Sequence, residues 1–95
     1  MNQLISLLKI LYACNLMAEQ TPLPQQQAVI CVAVHDQVKL QFLTQAEIDE
    51  ISRVPLKEKN DITLRGYSRF KQWETDNPEL VQKLRETEKH KLGLD

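Results

Sequence analysis

The sequence predicts an α+β fold, in which a β-hairpin at about residues 28–43 packs against two or three C-terminal helices. Three observations lead to this prediction. A mainly β-branched run at 28–34, AVICVAV, is typical of a strand that is covered on both faces. The segment VKLQF at 38–42 alternates apolar and polar residues, as a half-buried strand does. From Thr44 onward the chain instead carries helix-start signals and helical spacing.

The N-terminal segment, residues 1–18, is predicted to form a separate apolar helix or a leader. Residues 4–17 hold a single charged residue, Lys9, and their leucines recur at helical spacing. A membrane-spanning helix needs about 20 apolar residues, so we expect no membrane-spanning segment here. Met17 offers an alternative translation start, which would make residues 1–16 optional.

The two cysteines leave two further questions open. The segment Leu11-Tyr12-Ala13-Cys14 resembles a bacterial lipobox, and this resemblance implies an envelope lipoprotein lipidated at Cys14. The chain is not cysteine-dense and has no CxxC pair, so a reducing cytoplasm is the default expectation. A disulfide between Cys14 and Cys31 remains compatible with the sequence.

Residues 19–27, EQTPLPQQQ, form a predicted linker because two prolines oppose a helix. A single α+β domain is expected to follow over residues 28–95. Its hairpin would turn at His35-Asp36-Gln37, between the two strand-like runs.

Helices are predicted over the C-terminal half. Thr44 and Glu47 match a capping box, which starts a short helix that has ended by Pro55. Residues 56–61, LKEKND, are expected to form a charged loop, and a third helix is expected over 62–75. Gly66 lies inside that helix, where it costs about 1 kcal/mol relative to alanine, so a bend or a later start is expected.

The last helix is predicted to begin at Asn77-Pro78, with asparagine at the N-cap and proline at the first helical position. It is expected to run to about Lys91, and Gly93 is the expected stop signal.

The composition excludes some classes of function. Twelve Lys and Arg residues against thirteen Asp and Glu residues give a net charge of −1. A dedicated polyanion-binding domain is usually strongly basic, so that class is not favoured. Two glycines in the whole chain argue against a glycine-rich phosphate loop.

No catalytic motif appears in the sequence. Cys31 and His35 are four residues apart on one side of the predicted strand, as two metal ligands or a thiol and its base would be. A structural zinc site needs about four ligands, and nothing completes this pair. Cys31 is therefore interpreted as a core residue and His35 as a turn residue. We expect no cofactor, no metal and no enzymatic activity.

The leading hypothesis is a small, non-enzymatic cytoplasmic protein that acts by association with another protein or with itself. Tyr67, Phe70 and Trp73 recur at i, i+3 and i+6 and form an aromatic helix face. Leu80 and Leu84 extend the apolar surface on the last helix. These five residues are the predicted partner-binding residues. The first predicted strand, 28–34, is the other proposed contact element, because its second apolar face must be covered by the N-terminal helix, a second copy or a partner protein.

The alternative hypothesis is a nucleic-acid-binding regulator. Arg65, Arg69 and Lys71 interleave with the aromatic residues of helix 62–75 and could neutralise phosphates. Acidic residues follow directly at Glu74 and Asp76, so an ordinary solvated helix face is the preferred interpretation.

Overall fold

The computed structural model describes residues 2–94, and this part of the chain contains five α-helices and no strand. The helices, α1 to α5, are Asn2–Gln20, Gln25–Gln41, Gln45–Ile51, Leu56–Asp76 and Pro78–Lys91. Helix α1 contacts α2 and α5, α2 also contacts α4, and α3 packs on α4. The molecule measures 44 × 32 × 19 Å, and its shortest extent accommodates two helix layers.

The predicted β-hairpin at 28–43 is wrong, and with it the α+β fold class. The first strand-like run, the expected turn and the second run as far as Gln41 lie in one continuous helix, α2, and Phe42 is its C-cap residue. Val34, Val38 and Phe42 recur every four residues on its inner side, where Val38 is fully buried and the other two pack against the core. Because β-propensity mainly measures how a side chain fits its surroundings, one-sided burial of this segment outweighs its β-branched composition.

Helix α1 is an integral part of the core and not a separate element. Four of the seven buried side chains in the central cluster belong to it: Leu4, Leu8, Leu11 and Tyr12. The other three come from α2, α4 and α5, and they are Val38, Phe70 and Leu84. Burial of one large aliphatic side chain contributes about 1.5–3 kcal/mol, so α1 supplies much of the stability.

The connection between α1 and α2 spans residues 21–24, which is shorter than the predicted linker at 19–27. Pro22 and Pro24 lie in it, and Pro24 occupies the N-cap position of α2. Among residues 2–94, none of the helices combines the length and the apolar content that a membrane crossing requires, as the sequence predicts for residues 4–17.

A disulfide bond joins Cys14 in α1 to Cys31 in α2, with 5.9 Å between the two Cα atoms. This resolves the cysteine pairing that the sequence leaves open. The bond closes a loop over a sequence separation of 17 residues. Loop closure of this size restricts the unfolded chain and contributes about 3 kcal/mol in the chain-entropy description.

The capping box at the start of α3 is confirmed. The Thr44 hydroxyl accepts a hydrogen bond from the Glu47 backbone N–H at 3.1 Å, and the Glu47 carboxylate accepts one from the Thr44 backbone N–H at 2.9 Å. The predicted charged loop at 56–61 is wrong, because α4 begins directly after Pro55 and includes these residues. Since proline at this N-cap position leaves no donor unsatisfied, it starts the helix instead of merely ending the previous one.

Helix α4 continues through Gly66, and the glycine is needed for packing against α2. A Cβ atom at this position would fall on the backbone carbonyl oxygen of Lys39 and 3.3 Å from a methyl carbon of Leu43. The absence of a side chain therefore lets α2 and α4 approach closely, which explains a glycine that the sequence interprets as a bend or a late start.

The start and end of α5 agree with the sequence, with one difference. Pro78 is the first residue of α5, but the Asn77 side chain makes no capping hydrogen bond to this helix. Its amide donates instead to the Trp73 carbonyl oxygen of α4 at 2.8 Å. Helix α5 ends at Lys91, and Gly93 adopts a left-handed conformation with φ of 70°. Gly93 is thus the predicted stop.

Replacing Gly66 with alanine tests the close approach of α2 and α4. We expect Gly66→Ala to lower the free energy of unfolding by about 1–3 kcal/mol, because the new methyl group overlaps the Lys39 carbonyl. Urea unfolding followed by circular dichroism measures the change. Ser68→Ala, at an exposed position of the same helix, is the control and should stay within about 0.5 kcal/mol. A stabilised Gly66→Ala variant would contradict this interpretation.

A chain that starts at Met17 tests the contribution of α1 to folding. It would lack Leu4, Leu8, Leu11 and Tyr12, which together contribute about 6–12 kcal/mol, as much as the roughly 5–15 kcal/mol by which a small domain is stable. We expect this chain to lose cooperative thermal unfolding and most of its far-ultraviolet helical signal. The full chain with Lys9→Ala, an exposed residue of α1, should unfold as the parent does. Cooperative unfolding of the shortened chain would contradict the expectation.

Candidate interaction surface

The predicted partner-binding residues lie mostly inside the fold. Phe70 is 2% exposed and Leu84 is 7% exposed. The rings of Phe70 and Trp73 pack against Phe42, the C-cap residue of α2, with centroids 5.7 and 6.2 Å away. Tyr67 is half-buried with its ring 6.0 Å from that of His35, and Leu80 packs against the core cluster. These side chains hold α4 and α5 in the bundle, so they offer little free surface to a partner.

The three predicted phosphate-binding cations are each paired with a carboxylate. Arg69 donates two hydrogen bonds to the Glu47 carboxylate, at 2.7 and 3.1 Å, and a third to the Phe42 carbonyl oxygen at 3.0 Å. Arg65 lies 3.5 Å from the same carboxylate. Lys71 donates to Glu74 at 2.7 Å. Two glutamates therefore neutralise much of the positive charge on this side of α4.

Glu47 connects α3 to α4 and also completes the capping box. Its hydrogen bonds with the Arg69 guanidinium, and then with the Thr44 backbone N–H, lower the pKa of the carboxyl group to about 2. The bidentate geometry is the arrangement that makes an Arg–carboxylate pair strong and directional. Glu47 thus stays ionised well into the acidic range and holds the short helix α3 in place.

A second polar network lies where α1, α4 and α5 meet. The Tyr12 hydroxyl is nearly inaccessible and donates a 2.7 Å hydrogen bond to Glu74. Burial, together with this carboxylate, raises the pKa of Tyr12 far above its usual value. Arg85 lies 5.8 Å above the Tyr12 ring and pairs with Glu19 at 3.3 Å. Because its phenol stays protonated, Tyr12 acts as a buried hydrogen-bond donor that satisfies Glu74.

An open cleft of about 530 Å³ lies beside this network, between the C-terminal part of α1 and helix α5. Its charged lining alternates in sign, with Glu19, Glu86 and Glu74 against Arg85 and Lys89. Among the residues that the structure describes, no three His, Cys, Asp or Glu side chains form a group that could hold a metal ion.

Cys31 and His35 do lie on the same side of their element, as their spacing predicts, but the element is a helix. Both line a groove between α1 and α2. Cys31 is bonded to Cys14, so its sulfur is not a free thiol in this state. His35 is half-buried in the middle of α2, so its interpretation as a turn residue is wrong.

A group of neighbouring exposed apolar side chains lies on α2, within the run 28–34 that the sequence proposes as a contact element. Val29, Ile30 and Val32 are 63%, 58% and 61% exposed. Val29 and Val32 are three residues apart and so share a helix face, with exposed Ala33 beside them. We call these four residues the α2 patch. A usable signal was present in the sequence, since residues 20–34 contain no charged side chain.

Comparison of the chain with known protein families, with curated proteins and with solved structures gives no match.

The Glu47 pairing predicts a specific dependence of stability on pH. Because the pKa of Glu47 is lower in the folded chain, its ionised form stabilises the fold above its usual pKa of 4.5. This contribution is lost as the pH falls from there towards about 2. We therefore expect Glu47→Gln to lower the melting temperature at pH 7 and to match the parent near pH 2.

The matched control is Glu50→Gln, which makes the same chemical change at an exposed position of α3. Thermal unfolding of all three proteins between pH 2 and pH 7 measures the effect. A difference between parent and Glu47→Gln that does not shrink in acid would show that charge is not the cause.

Proposed function

We propose that this chain acts by protein–protein association through the α2 patch, and that its partner is a second copy of itself. The observation that carries the proposal is the exposure of three adjacent β-branched side chains, Val29, Ile30 and Val32, each more than half accessible. Contiguous exposed apolar surface is the feature that distinguishes interaction sites from scattered surface hydrophobics.

The charge distribution around the α2 patch supports a second copy as the partner. The polar neighbours of the patch on the first turn of α2 are the glutamines at 25–27, which are uncharged. A charged partner would be recognised through complementary charge, and residues 25–34 contain no charged side chain. Charge on this face begins one turn beyond Val32 with Asp36, which is paired with Lys39 at 3.3 Å. The four patch residues of two copies can therefore meet without like-charge repulsion at the patch itself, as a contact across a twofold axis requires.

The size of the α2 patch supports a weak dimer. Four side chains over little more than one helical turn cover less than the roughly 800 Å² per partner that a standard stable interface buries. We therefore expect exchange between monomer and dimer, with a dissociation constant on the order of 10 μM. The contact would be an α2–α2 helix pair, with Ala33 allowing the two backbones to come close.

The other hypotheses receive less support. Binding of nucleic acid through Arg65, Arg69 and Lys71 would require these cations to leave Glu47 and Glu74. Lipidation at Cys14 and the disulfide exclude each other, because both use the same sulfur. That the protein has no enzymatic activity and that it is cytoplasmic are both still predictions from the sequence. The disulfide favours an oxidising compartment over the cytoplasm.

Sedimentation equilibrium over a wide concentration range tests the association. We expect the parent chain to show a reversible monomer–dimer equilibrium. Val29→Lys should weaken the dimer roughly tenfold or more, because the contact would bury an unpaired ammonium group. Leu64→Lys makes a comparable change at a side chain of α4 that is 60% exposed, and this control should leave the equilibrium unchanged.

Three outcomes would overturn the proposal. A parent chain that stays monomeric at millimolar concentration has no such dimer. If Leu64→Lys disrupts the dimer and Val29→Lys leaves it intact, the dimer forms through another surface. A monomer that instead binds a different purified protein, with loss of binding in Val29→Lys, would keep the α2 patch but replace the second copy as the partner.

A further inference from the structure

Both cysteines of the disulfide line an open groove, Cys14 from the buried side of α1 and Cys31 from the half-buried edge of α2. The groove, of about 270 Å³, runs between α1 and α2 and is lined by both bonded cysteines. Apolar side chains from Leu11 and Val32 line it together with polar ones from Asn15 and His35 and the ion pair of Asp36 and Lys39. The groove therefore brings solvent and small solutes to the sulfur–sulfur bond.

The two cysteines differ in accessibility. Cys14 is only 5% exposed and belongs to the buried side of α1. Cys31 is half-buried on α2, on the edge that faces the groove. Thiol–disulfide exchange needs the attacking sulfur to reach the attacked sulfur along the bond axis, so the more accessible cysteine is attacked first.

We propose that this groove is a thiol–disulfide exchange site, in which a low-molecular-weight thiol attacks Cys31 and Cys14 is the leaving group. The thiolate of the small molecule forms a bond to the Cys31 sulfur, and the Cys14–Cys31 bond breaks. Cys14 leaves as a thiolate and takes a proton from solvent. A second molecule of thiol then attacks the sulfur of the small molecule that is bound to Cys31. This step releases the Cys31 thiolate and a small-molecule disulfide. Two electrons pass to the protein, and two thiols are oxidised.

We expect the fold to be stable both with the Cys14–Cys31 disulfide and with the two cysteines reduced. Helix α1 is held against its neighbours by Leu8, Leu11 and Tyr12, all at most 3% exposed and none dependent on the disulfide. Removal of a loop closure of this length raises the unfolding equilibrium constant by roughly 10²-fold, which a domain of ordinary stability tolerates. The reduced chain thus keeps the groove, and the exchange is reversible. This inference does not depend on dimer formation.

Mixed-disulfide formation with glutathione tests the assignment. In Cys14→Ser the only thiol is Cys31, and in Cys31→Ser the only thiol is Cys14. With oxidised glutathione in excess, we expect Cys14→Ser to gain one glutathione, by intact mass, at least about tenfold faster than Cys31→Ser. In strong denaturant the two rates should become equal, which shows that the fold causes the difference.

A second measurement on the unsubstituted protein covers the case in which a variant fails to fold. The parent chain is treated briefly with reduced glutathione and quenched with acid, and the trapped mixed disulfide is located by peptide mapping. We expect glutathione on Cys31. Glutathione on Cys14, equal trapping on both cysteines, or a disulfide that reacts only in denaturant would each overturn the proposal.

Discussion

The burial of α1 against α2 and α5 is the constraint on which the rest of the structure depends. Leu8 and Tyr12 are at most 1% exposed, and their neighbours come from helices distant in sequence. The disulfide holds α1 to α2 covalently, and the Tyr12–Glu74 hydrogen bond fixes α1 relative to α4. With one side of α2 occupied by α1 and α4, its opposite side remains as exposed apolar surface. The α2 patch is thus a consequence of how the core is filled.

Ion pairing determines which charged residues remain free to act. Glu47 combines three tasks, since it caps α3, receives both guanidinium nitrogens of Arg69 and lies near Arg65. Glu74 accepts hydrogen bonds from both Lys71 and Tyr12. Through these contacts, the basic face of α4 binds α3, and Glu74 of α4 binds Tyr12 of α1. The uncharged α2 patch and the groove beside the disulfide do not take part in these ion pairs, and they are the two surfaces for which we propose association and thiol exchange.

The sequence predicted those elements whose signals are local. The capping box at Thr44, the proline at the start of α5 and the stop at Gly93 each depend on a few neighbouring residues, and all three appear in the structure. Arg65, Arg69 and Lys71 were singled out by residue type, but their pairing with glutamates on other turns and helices was not readable. The sequence proposed the run 28–34 as a contact element, but it could not show which of its side chains stay exposed, because an uncharged β-branched run has no fixed inner side until its partners are known.

The sequence by itself determined the start of α3, the start and end of α5, the absence of a charge bias, and an apolar segment too short to cross a membrane. Only the tertiary structure decided that residues 28–34 are helical, that Cys14 bonds to Cys31 and that Gly66 is a contact point of two backbones. The physical reason is that strand and helix differ little in free energy for such an apolar run. The difference is decided by what covers each side, and here α1 and α4 cover one side of a helix.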